Sequence, residues 1–529
     1  MNYYQRLAFV IFVVLATLGA SQMQWKLRQR KFDRGRKLTA IRRLGKRTDQ
    51  SGLRWGNDTI PESSATQHFL AVGTTGSGKS LVQRLLMRDV LPKLESGSDR
   101  RAVILDAKND MPAYLRHIGV TCPVYSLNPF EGRASFPKAV AWDVASDITS
   151  PARALNLAGA LIPSQDGDNN RYFTDAARQV VAGVIESFIR HSPLQWSFAD
   201  LVYTSLCIDR IREILDRDPE GREVLDGFLS EERTGFQVFT TIVSRLAYFR
   251  PVAALWQRNP NKLSLRDFLE DESILLLGMD ATARVALDAI NEIVFRTLVE
   301  EIDAQHDSAT RRTWVWVDEA RLSGPLLRGE MLPFLAVIGR SKGACLVLAF
   351  QDIEGFREAA GNHIAHEIVA QCSHKALLRL ESEESAGWAS RVIGQHETLR
   401  RMQSKPAWFG RGGSHSEQLS KTETVLPSEF YTIPPTSRDN GLSGYFLSPS
   451  VGAVRDRIPG HVLASVFVEA ATEEKLRFQP QPEAAQILVP WSSQDCQRLS
   501  LATRRIAGKH RSHDRIAEGK RPVRTVRQR

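Results

Sequence analysis

The chain has 529 residues, 42% hydrophobic and 25% charged, which is enough for about two to four domains and too apolar for a disordered protein. Its formal net charge of +10 is concentrated at the ends, because residues 1–47 sum to +11, residues 504–529 to +8 and the body to −9. This distribution argues against a surface coated for nucleic acid and favours contact of the termini with a membrane or a polyanion.

The N-terminal segment predicts a membrane anchor. No charge occurs from Leu7 to Trp25, nineteen residues that as a helix would be about 28 Å long, just enough to cross a bilayer. A cleaved signal peptide is the alternative, with Arg6 before the apolar run and small residues near Ala20. Eleven Lys and Arg residues follow between 26 and 47, and by the positive-inside rule they favour an uncleaved anchor with the body in the cytoplasm. We therefore predict a transmembrane anchor at 1–25.

The stretch after the anchor predicts a basic juxtamembrane linker at 26–52, which could also lie on anionic headgroups. The five cysteines of the chain are scattered, odd in number and free of any C-x-x-C spacing. Such usage is typical of reduced thiols in the cytosol.

A glycine-rich loop carries the strongest motif. A short apolar run leads into it, and Leu81 opens a segment with helical spacing that ends at Pro92. The loop fits the G-x-x-x-x-G-K-[ST] pattern with Gly73, Thr74, Thr75, Gly76, Ser77, Gly78, Lys79 and Ser80. In this motif backbone N–H groups surround the phosphates of ATP, the lysine neutralises charge and the hydroxyl ligates Mg²⁺. The alternative, a glycine-rich surface turn, does not explain the flanking strand and helix.

A second buried strand, at 102–105, ends at Asp106 and is followed by Lys108. Polar residues past the carboxyl end of a strand lie where open α/β sheets bind ligands. A solvated turn needs the same residues, so the sequence leaves their role open, including whether they contact DNA. From Pro151 the pattern becomes helical, with apolar residues repeating at helical spacing over 172–191. We predict an all-α domain inserted at 151–262.

The α/β pattern then resumes with a strand, Thr313–Val317, that runs into Asp318 and Glu319. A buried strand that delivers one acid to Mg²⁺, usually through water, and a second carboxylate to the attacking water is the other half of a phosphoryl-transfer site. Alone the pattern is weak, because a solvated strand end looks the same. Together with the loop at Gly73 it strongly indicates a nucleotide hydrolase.

Three further predictions concern the C-terminal part. His374–Leu380 predicts a last core strand, and the polar, glycine- and serine-rich stretch Lys405–Thr424 predicts a loop. Residues 471–529 are rich in Pro and Gln and then basic, which predicts a C-terminal tail whose last ~25 residues are disordered.

With these features in place, the chain from about Leu53 to His461 resembles the type IV coupling proteins, the membrane-anchored ATPases of bacterial conjugation and type IV secretion. The discriminating features are the helical insert and two phrases. These are Gly339-Arg340-Ser341-Lys342-Gly343, ahead of a strand ending at Gln351, and Ile393-Gly394-Gln395-His396-Glu397. The resemblance implies an α/β fold: a RecA-like P-loop NTPase core at 53–150 and 263–470, carrying the all-α insert and preceded by one transmembrane helix.

The resemblance also implies a function. The family forms homo-hexamers in the bacterial inner membrane that hydrolyse ATP with Mg²⁺ and pump DNA, without sequence preference, with a bound relaxase towards the proteins of a type IV secretion channel. Residue by residue it assigns Lys79 and Ser80 to the phosphates and Mg²⁺, Asp318 to Mg²⁺ and Glu319 to catalysis. It likewise assigns Gln351 as the γ-phosphate sensor and Arg340 as the arginine finger. The family usually has two transmembrane helices, whereas this sequence shows one.

Two other functions fit parts of the pattern. A related motor that drives protein secretion, or moves double-stranded DNA at division, would carry the same anchor and motifs. A membrane tether with a vestigial site is the other, and Glu319 and Arg340 argue against it because an inactive site needs neither. DNA-stimulated ATP hydrolysis would separate the three.

Overall fold

The computed structural model describes residue 23 and residues 34–39, 52–133, 135–163, 171–280, 283–323, 331–403 and 415–501. Apart from Met23, the anchor predicted at 1–25 lies outside the described residues, as do most of the linker predicted at 26–52 and the tail beyond Leu501.

The molecule is built around a large, mostly parallel sheet. Its strands and those of three small sheets are β1 (Arg34–Gly35), β2 (Leu38–Thr39), β3 (Leu53–Trp55), β4 (Asp58–Ile60), β5 (Phe69–Val72), β6 (Arg100–Asp106), β7 (Val124–Ser126), β8 (Lys138–Ala139), β9 (Ala141–Trp142), β10 (Lys262–Leu263), β11 (Ile274–Gly278), β12 (Arg312–Val317), β13 (Ala344–Phe350), β14 (His374–Leu377), β15 (Gln395–Gln403), β16 (His415–Glu423), β17 (Leu442–Ser448) and β18 (Gly452–Ile458). The large sheet has the order β2-β18-β17-β14-β5-β13-β12-β6-β11-β7-β8. Neighbours from β14 to β8 are all parallel, and β17 pairs antiparallel with both β14 and β18.

The central strands are buried on both faces. In β5, Leu70 and Val72 belong to one hydrophobic core, whereas Phe69 and Ala71 belong to the other. Successive side chains of a strand point to opposite faces, so a strand that is apolar throughout needs cover on both sides. The continuous apolar runs of the sequence therefore become the centre of a three-layered core.

Helices provide that cover. In the nucleotide-core part of the chain they are Lys79–Val90, Met111–His117, Val144–Asp147, Leu265–Glu270, Arg284–Ala304, Met331–Val337, Ile353–Ala360, Asn362–Gln371, Glu383–Ile393, Pro427–Tyr431 and Gly460–Leu463. Short 3₁₀ turns lie at Glu62–Gln67, Leu91–Lys93, Ala247–Phe249, Ala320–Ser323, Ala464–Val466 and Glu483–Gln486. The predicted α/β core with a helical insert is thus confirmed.

Among its described residues, the insert between β9 and β10 consists of helices joined by short turns. Its helices are Pro151–Leu161, Arg171–His191, Phe198–Ser205, Ile208–Leu215, Pro219–Phe228, Glu232–Leu246 and Arg250–Gln257. Pro151 opens the first of them, and the Ser150 hydroxyl accepts the Arg153 N–H at 3.4 Å, the N-cap expected of this sequence. The insert shares one continuous hydrophobic core with a face of the large sheet.

One run of helical turns among the described residues could cross a membrane by length and composition alone. It is Glu232–Gln257, 26 residues long. Val238, Ile242 and Leu246 from this run are fully buried in the shared core. A core helix of a soluble domain has the same length and composition, and the packing accounts for these apolar residues.

The prediction of a loop at Lys405–Thr424 is wrong for the residues described there, because β16 occupies His415–Glu423 and pairs antiparallel with β15. β1 adds a third strand to this small sheet. The described side chains of β16 are exposed or half-buried, so no apolar alternation marks the strand in the sequence.

Two other boundaries differ from prediction. β14 stops at Leu377 and is not the last core strand, because β17 and β18 follow in the same sheet. The segment 471–501, predicted as the start of a tail, packs on the body and contains most of helix Ala470–Lys475 and all of helix Ser493–Arg498. Its anchor is a bidentate pair from Arg498 to the buried carboxylate of Asp200 at 2.8 and 3.0 Å.

Two buried histidines lie where β5 and β14 begin. The His68 ring bonds the Ala336 carbonyl at 2.8 Å and accepts the Leu346 N–H at 3.1 Å, so Nε2 carries the proton. His374 stacks on Phe69 with ring centroids 4.7 Å apart. Burial lowers the pKa of each histidine to about 4.

We predict that acid destabilises the fold through these histidines. Their folded-state pKa lies below the unfolded value of about 6.5, so below that pH only the unfolded chain takes up the protons. The free energy of unfolding therefore has its full value above about pH 6.5. Below that pH it falls by about 1.4 kcal/mol per pH unit for each histidine, down to about pH 4. Urea unfolding of His374→Gln and the parent across this range measures it. Because the variant lacks one of the two histidines, its free energy of unfolding should fall less steeply with decreasing pH, by the contribution of about one proton. Equal pH dependence in the variant and the parent would contradict the assignment.

Candidate nucleotide-binding site

The predicted site residues, apart from Arg340, meet at one edge of the large sheet. The loop at Gly73 follows β5, Asp318 and Glu319 follow β12, and Gln351 follows β13. Strands β5, β13 and β12 are adjacent and parallel, so their carboxyl ends open on the same edge, where open α/β sheets bind ligands.

The loop reaches its shape through glycine. Gly78 has φ +99°, and a Cβ there would lie 2.5 Å from Leu442 Cδ1 and 2.8 Å from Thr436 Oγ1. The Thr436 hydroxyl donates to the Ser77 carbonyl at 2.7 Å. The sequence gives no sign of this support, because Thr436 lies 359 residues from Ser77 in the chain and belongs to no motif.

Lys79 is held inside the loop. Its Nζ donates to the Gly73 carbonyl at 2.7 Å and to the Thr74 carbonyl at 3.3 Å. Burial lowers the pKa of Lys79, and the charges of Glu319 and Asp318 act in the opposite direction. The side chain therefore offers a poorly solvated positive charge at the place where the motif puts phosphate oxygens.

Ser80 and Asp318 lie side by side. The Ser80 hydroxyl is 3.0 Å from both carboxylate oxygens of Asp318. Within the described residues no group of three or more His, Cys, Asp or Glu side chains gathers as a protein metal cage. One hydroxyl and one carboxylate instead suit Mg²⁺, which takes its other ligands from phosphates and water.

Lys108 joins this pair, whereas Asp106 does not. The ammonium of Lys108 is 3.2 Å from Asp318 Oδ2 and 3.4 Å from Ser80 Oγ. The carboxylate of Asp106 accepts the N–H groups of Asp110 and Met111 at 3.2 and 3.1 Å. It holds the start of the next helix, and burial raises its pKa to about 7.

Gln351 connects the loop with Glu319. The Thr75 hydroxyl donates to Gln351 Oε1 at 3.3 Å, and Gln351 Nε2 donates to Glu319 Oε2 at 3.0 Å. Burial raises the pKa of Glu319, while this bond from Gln351 and the charge of Lys79 lower it. A carboxylate placed in this way is suited to accept a proton.

Arg340 lies at the other edge of the sheet. It precedes β13, whose seven residues separate it from Gln351 by about 23 Å. The turn that carries it closes at Gly343, which has φ +88° and where a Cβ would lie 2.2 Å from the Arg311 carbonyl oxygen. The side chain of Arg340 is exposed, so the fold does not bring it to the loop of its own chain.

Known proteins are similar to this chain in sequence and in fold. Residues 54–443 match the model of the type IV secretion-system coupling protein DNA-binding domain. The coupling protein TraD of Escherichia coli (strain K12) is 24% identical over 447 residues, which cover 80% of this chain and 58% of TraD. The chain thus spans less than two thirds of the length of that relative.

Solved structures of the plasmid coupling protein TrwB have the same fold. The unbound monoclinic form of TrwBdeltaN70 is 17% identical, with a TM-score of 0.60 over 81% of this chain and 93% of that one. TrwB in complex with ADP and Mg²⁺ is also 17% identical, with a TM-score of 0.61 over 86% of this chain and 97% of that one.

The geometry of the loop predicts an asymmetric response to alanine. Gly78→Ala would combine the strain of a left-handed Cβ, about 1–2 kcal/mol, with overlap against Leu442, and should both destabilise the protein and impair binding of a fluorescent ADP analogue. Gly119→Ala is the matched control, because Gly119 also has a positive φ but nothing within 4 Å of its Cβ position. Equal losses of thermal stability in the two variants would contradict the contact with Leu442.

Proposed function

The chain belongs to the type IV secretion-system coupling proteins, and from this membership we propose that it is a membrane-anchored ATPase. In this proposal it couples ATP hydrolysis to translocation of DNA, with a bound relaxase, into a type IV secretion channel during conjugation. The observation that carries the proposal is the convergence of the phosphate loop, the Ser80–Asp318 pair and the Gln351–Glu319 pair on one edge of the sheet.

Each group has a role that follows from its position. Backbone N–H groups of the loop and the dipole of helix Lys79–Val90 bind the phosphates of ATP. Lys79 neutralises their charge, while Ser80 and Asp318 would hold Mg²⁺. The bound ion would withdraw charge from the β- and γ-phosphates.

Glu319 and Gln351 act on the water side of the reaction. Glu319 orients the attacking water and accepts its proton, for which a raised pKa is an advantage. Gln351 is hydrogen-bonded to both Thr75 and Glu319. A γ-phosphate bound against the loop would therefore change the position of Gln351 and, through it, that of the base Glu319. We propose that Gln351 senses the γ-phosphate through these two hydrogen bonds.

DNA binding in this proposal is sequence-nonspecific. The body of the chain is net negative and its termini are basic, so contacts to DNA phosphates are confined to particular loops of a ring pore rather than spread over the surface. A homo-hexamer anchored in the bacterial inner membrane by residues 1–25 would place that pore beside the channel. A protein-secretion motor of the same fold is the alternative.

ATP hydrolysis should rise with added DNA of any sequence, and the stimulation should fall steeply with salt because the contacts are to phosphates. Lys79→Ala should abolish hydrolysis in both conditions with the fold retained, since among the described residues the Lys79 ammonium donates only to the Gly73 and Thr74 carbonyls of the loop itself. A coupled ATPase assay on assembled protein measures both effects. Equal rates with and without DNA at low salt would favour the protein-secretion motor.

Arg340 acts between subunits in this proposal. Its exposure, and its distance from its own loop along β13, exclude it from the site of its own chain and leave it free to reach the neighbour's nucleotide. An arginine supplied in this way stabilises the charge on the transferring phosphoryl group and contributes about 10³–10⁵ in rate in related systems.

Mixed assemblies test the arginine. Arg340→Ala and Lys79→Ala should each be nearly inactive alone. When the two are mixed before assembly, some interfaces join the intact loop of one variant to the intact arginine of the other, so part of the activity should return. Mixtures shown to co-assemble that recover no activity would place Arg340 outside the reaction.

A further inference from the structure

Lys108 contacts both side chains that are proposed to hold Mg²⁺. Its ammonium is 3.2 Å from Asp318 Oδ2 and 3.4 Å from Ser80 Oγ, and those two groups are 3.0 Å from each other. We infer that Lys108 competes with Mg²⁺ for Asp318 and Ser80 and thereby sets how tightly the metal and its nucleotide are held. The inference rests on the proposed function, because it takes these two residues as the metal ligands.

The ammonium and the metal exclude each other on steric and electrostatic grounds. Mg²⁺ requires oxygen ligands at about 2.0–2.1 Å in octahedral geometry. A metal bound by Ser80, with Asp318 as a direct or water-mediated ligand, would lie within a few ångströms of the present ammonium position, and two cations at such a distance repel each other. Lys108 must therefore leave the pair when metal is bound there.

The side chain of Lys108 is free to move, whereas its backbone is not. The side chain is 60% exposed and the carboxylate of Asp318 22% exposed, so the ammonium exchanges this pair for water at little cost. The turn that carries it is fixed by two side chains. Asn109 donates to the Met279 carbonyl at 2.9 Å, and Asp106 accepts the backbone N–H groups of the residues that follow the turn. Only the four-carbon stem needs to rotate.

The contact has a consequence for turnover. While Lys108 contacts Ser80 and Asp318, the Asp318 carboxylate keeps a positively charged partner and its hydrogen bond from Ser80. The two side chains therefore stay in the positions from which they would bind the next metal ion. Each departure of metal with ADP is helped by an ammonium that replaces it. Lys108 is therefore a positioning residue that favours product release, and its removal should tighten the site rather than weaken it.

The experiment uses the full chain and a fluorescent ADP analogue titrated with Mg²⁺. In Lys108→Met, the Mg²⁺ concentration for half-maximal binding of the analogue should fall about two- to fivefold, the range expected for removal of an exposed ion pair. Dissociation of the analogue in saturating Mg²⁺ should slow by a similar factor, and affinity in EDTA should not change. Lys108→Arg keeps the charge and should behave as the parent.

Lys262→Met, at an exposed position of β10, controls for the loss of one positive charge. Should Lys108→Met bind the analogue more weakly in both EDTA and Mg²⁺, Lys108 would be a phosphate ligand and the inference would fail. An unchanged Mg²⁺ requirement would also overturn it, leaving a surface ion pair only. Absence of Mg²⁺-dependent binding in the parent would instead overturn the proposed function, and this inference with it.

Discussion

Parallel pairing of β5, β13, β12 and β6 is the constraint on which the rest of the structure depends. These strands are neighbours in the sheet, so the chain leaves all four at the same edge. Residues that follow β5, β12, β13 and β6 are thereby brought within hydrogen-bond distance although up to 276 positions separate them. Because each strand is buried on both faces, a shift of register would expose or misplace a whole row of apolar side chains.

Residues that take no part in the proposed reaction fix the backbone around the site at this edge of the sheet. Thr436 and Leu442, just before and at the start of β17, pack against the phosphate loop. The Asp106 carboxylate accepts two backbone N–H groups. Such contacts fix the backbone of the loop and of the Lys108 turn. The side chain of Lys108, by contrast, is 60% exposed.

Charge balance is the second organising feature of the site. Two lysines, the buried Lys79 and the exposed Lys108, face two carboxylates, Asp318 and Glu319. Burial lowers the pKa of Lys79 and raises that of Glu319, so each depends on the opposite charges nearby. Substrate binding in such a site exchanges one set of ionic partners for another, which makes the affinity for the metal and the nucleotide sensitive to a single exposed lysine.

The sequence by itself determined the features that are local. The glycine-rich loop of Gly73 to Ser80, the acids after β12, the helical insert and the apolar core strands each depend on a pattern within a few residues. Only the tertiary structure decided the β15–β16 hairpin, which is held by backbone pairing without an apolar pattern, and the different uses of Asp106 and Lys108, two residues apart. Their roles depend on which side chains the folded sheet places opposite them, such as Asp318, 210 residues along the chain from Lys108, and spacing in a single sequence carries no record of such a contact.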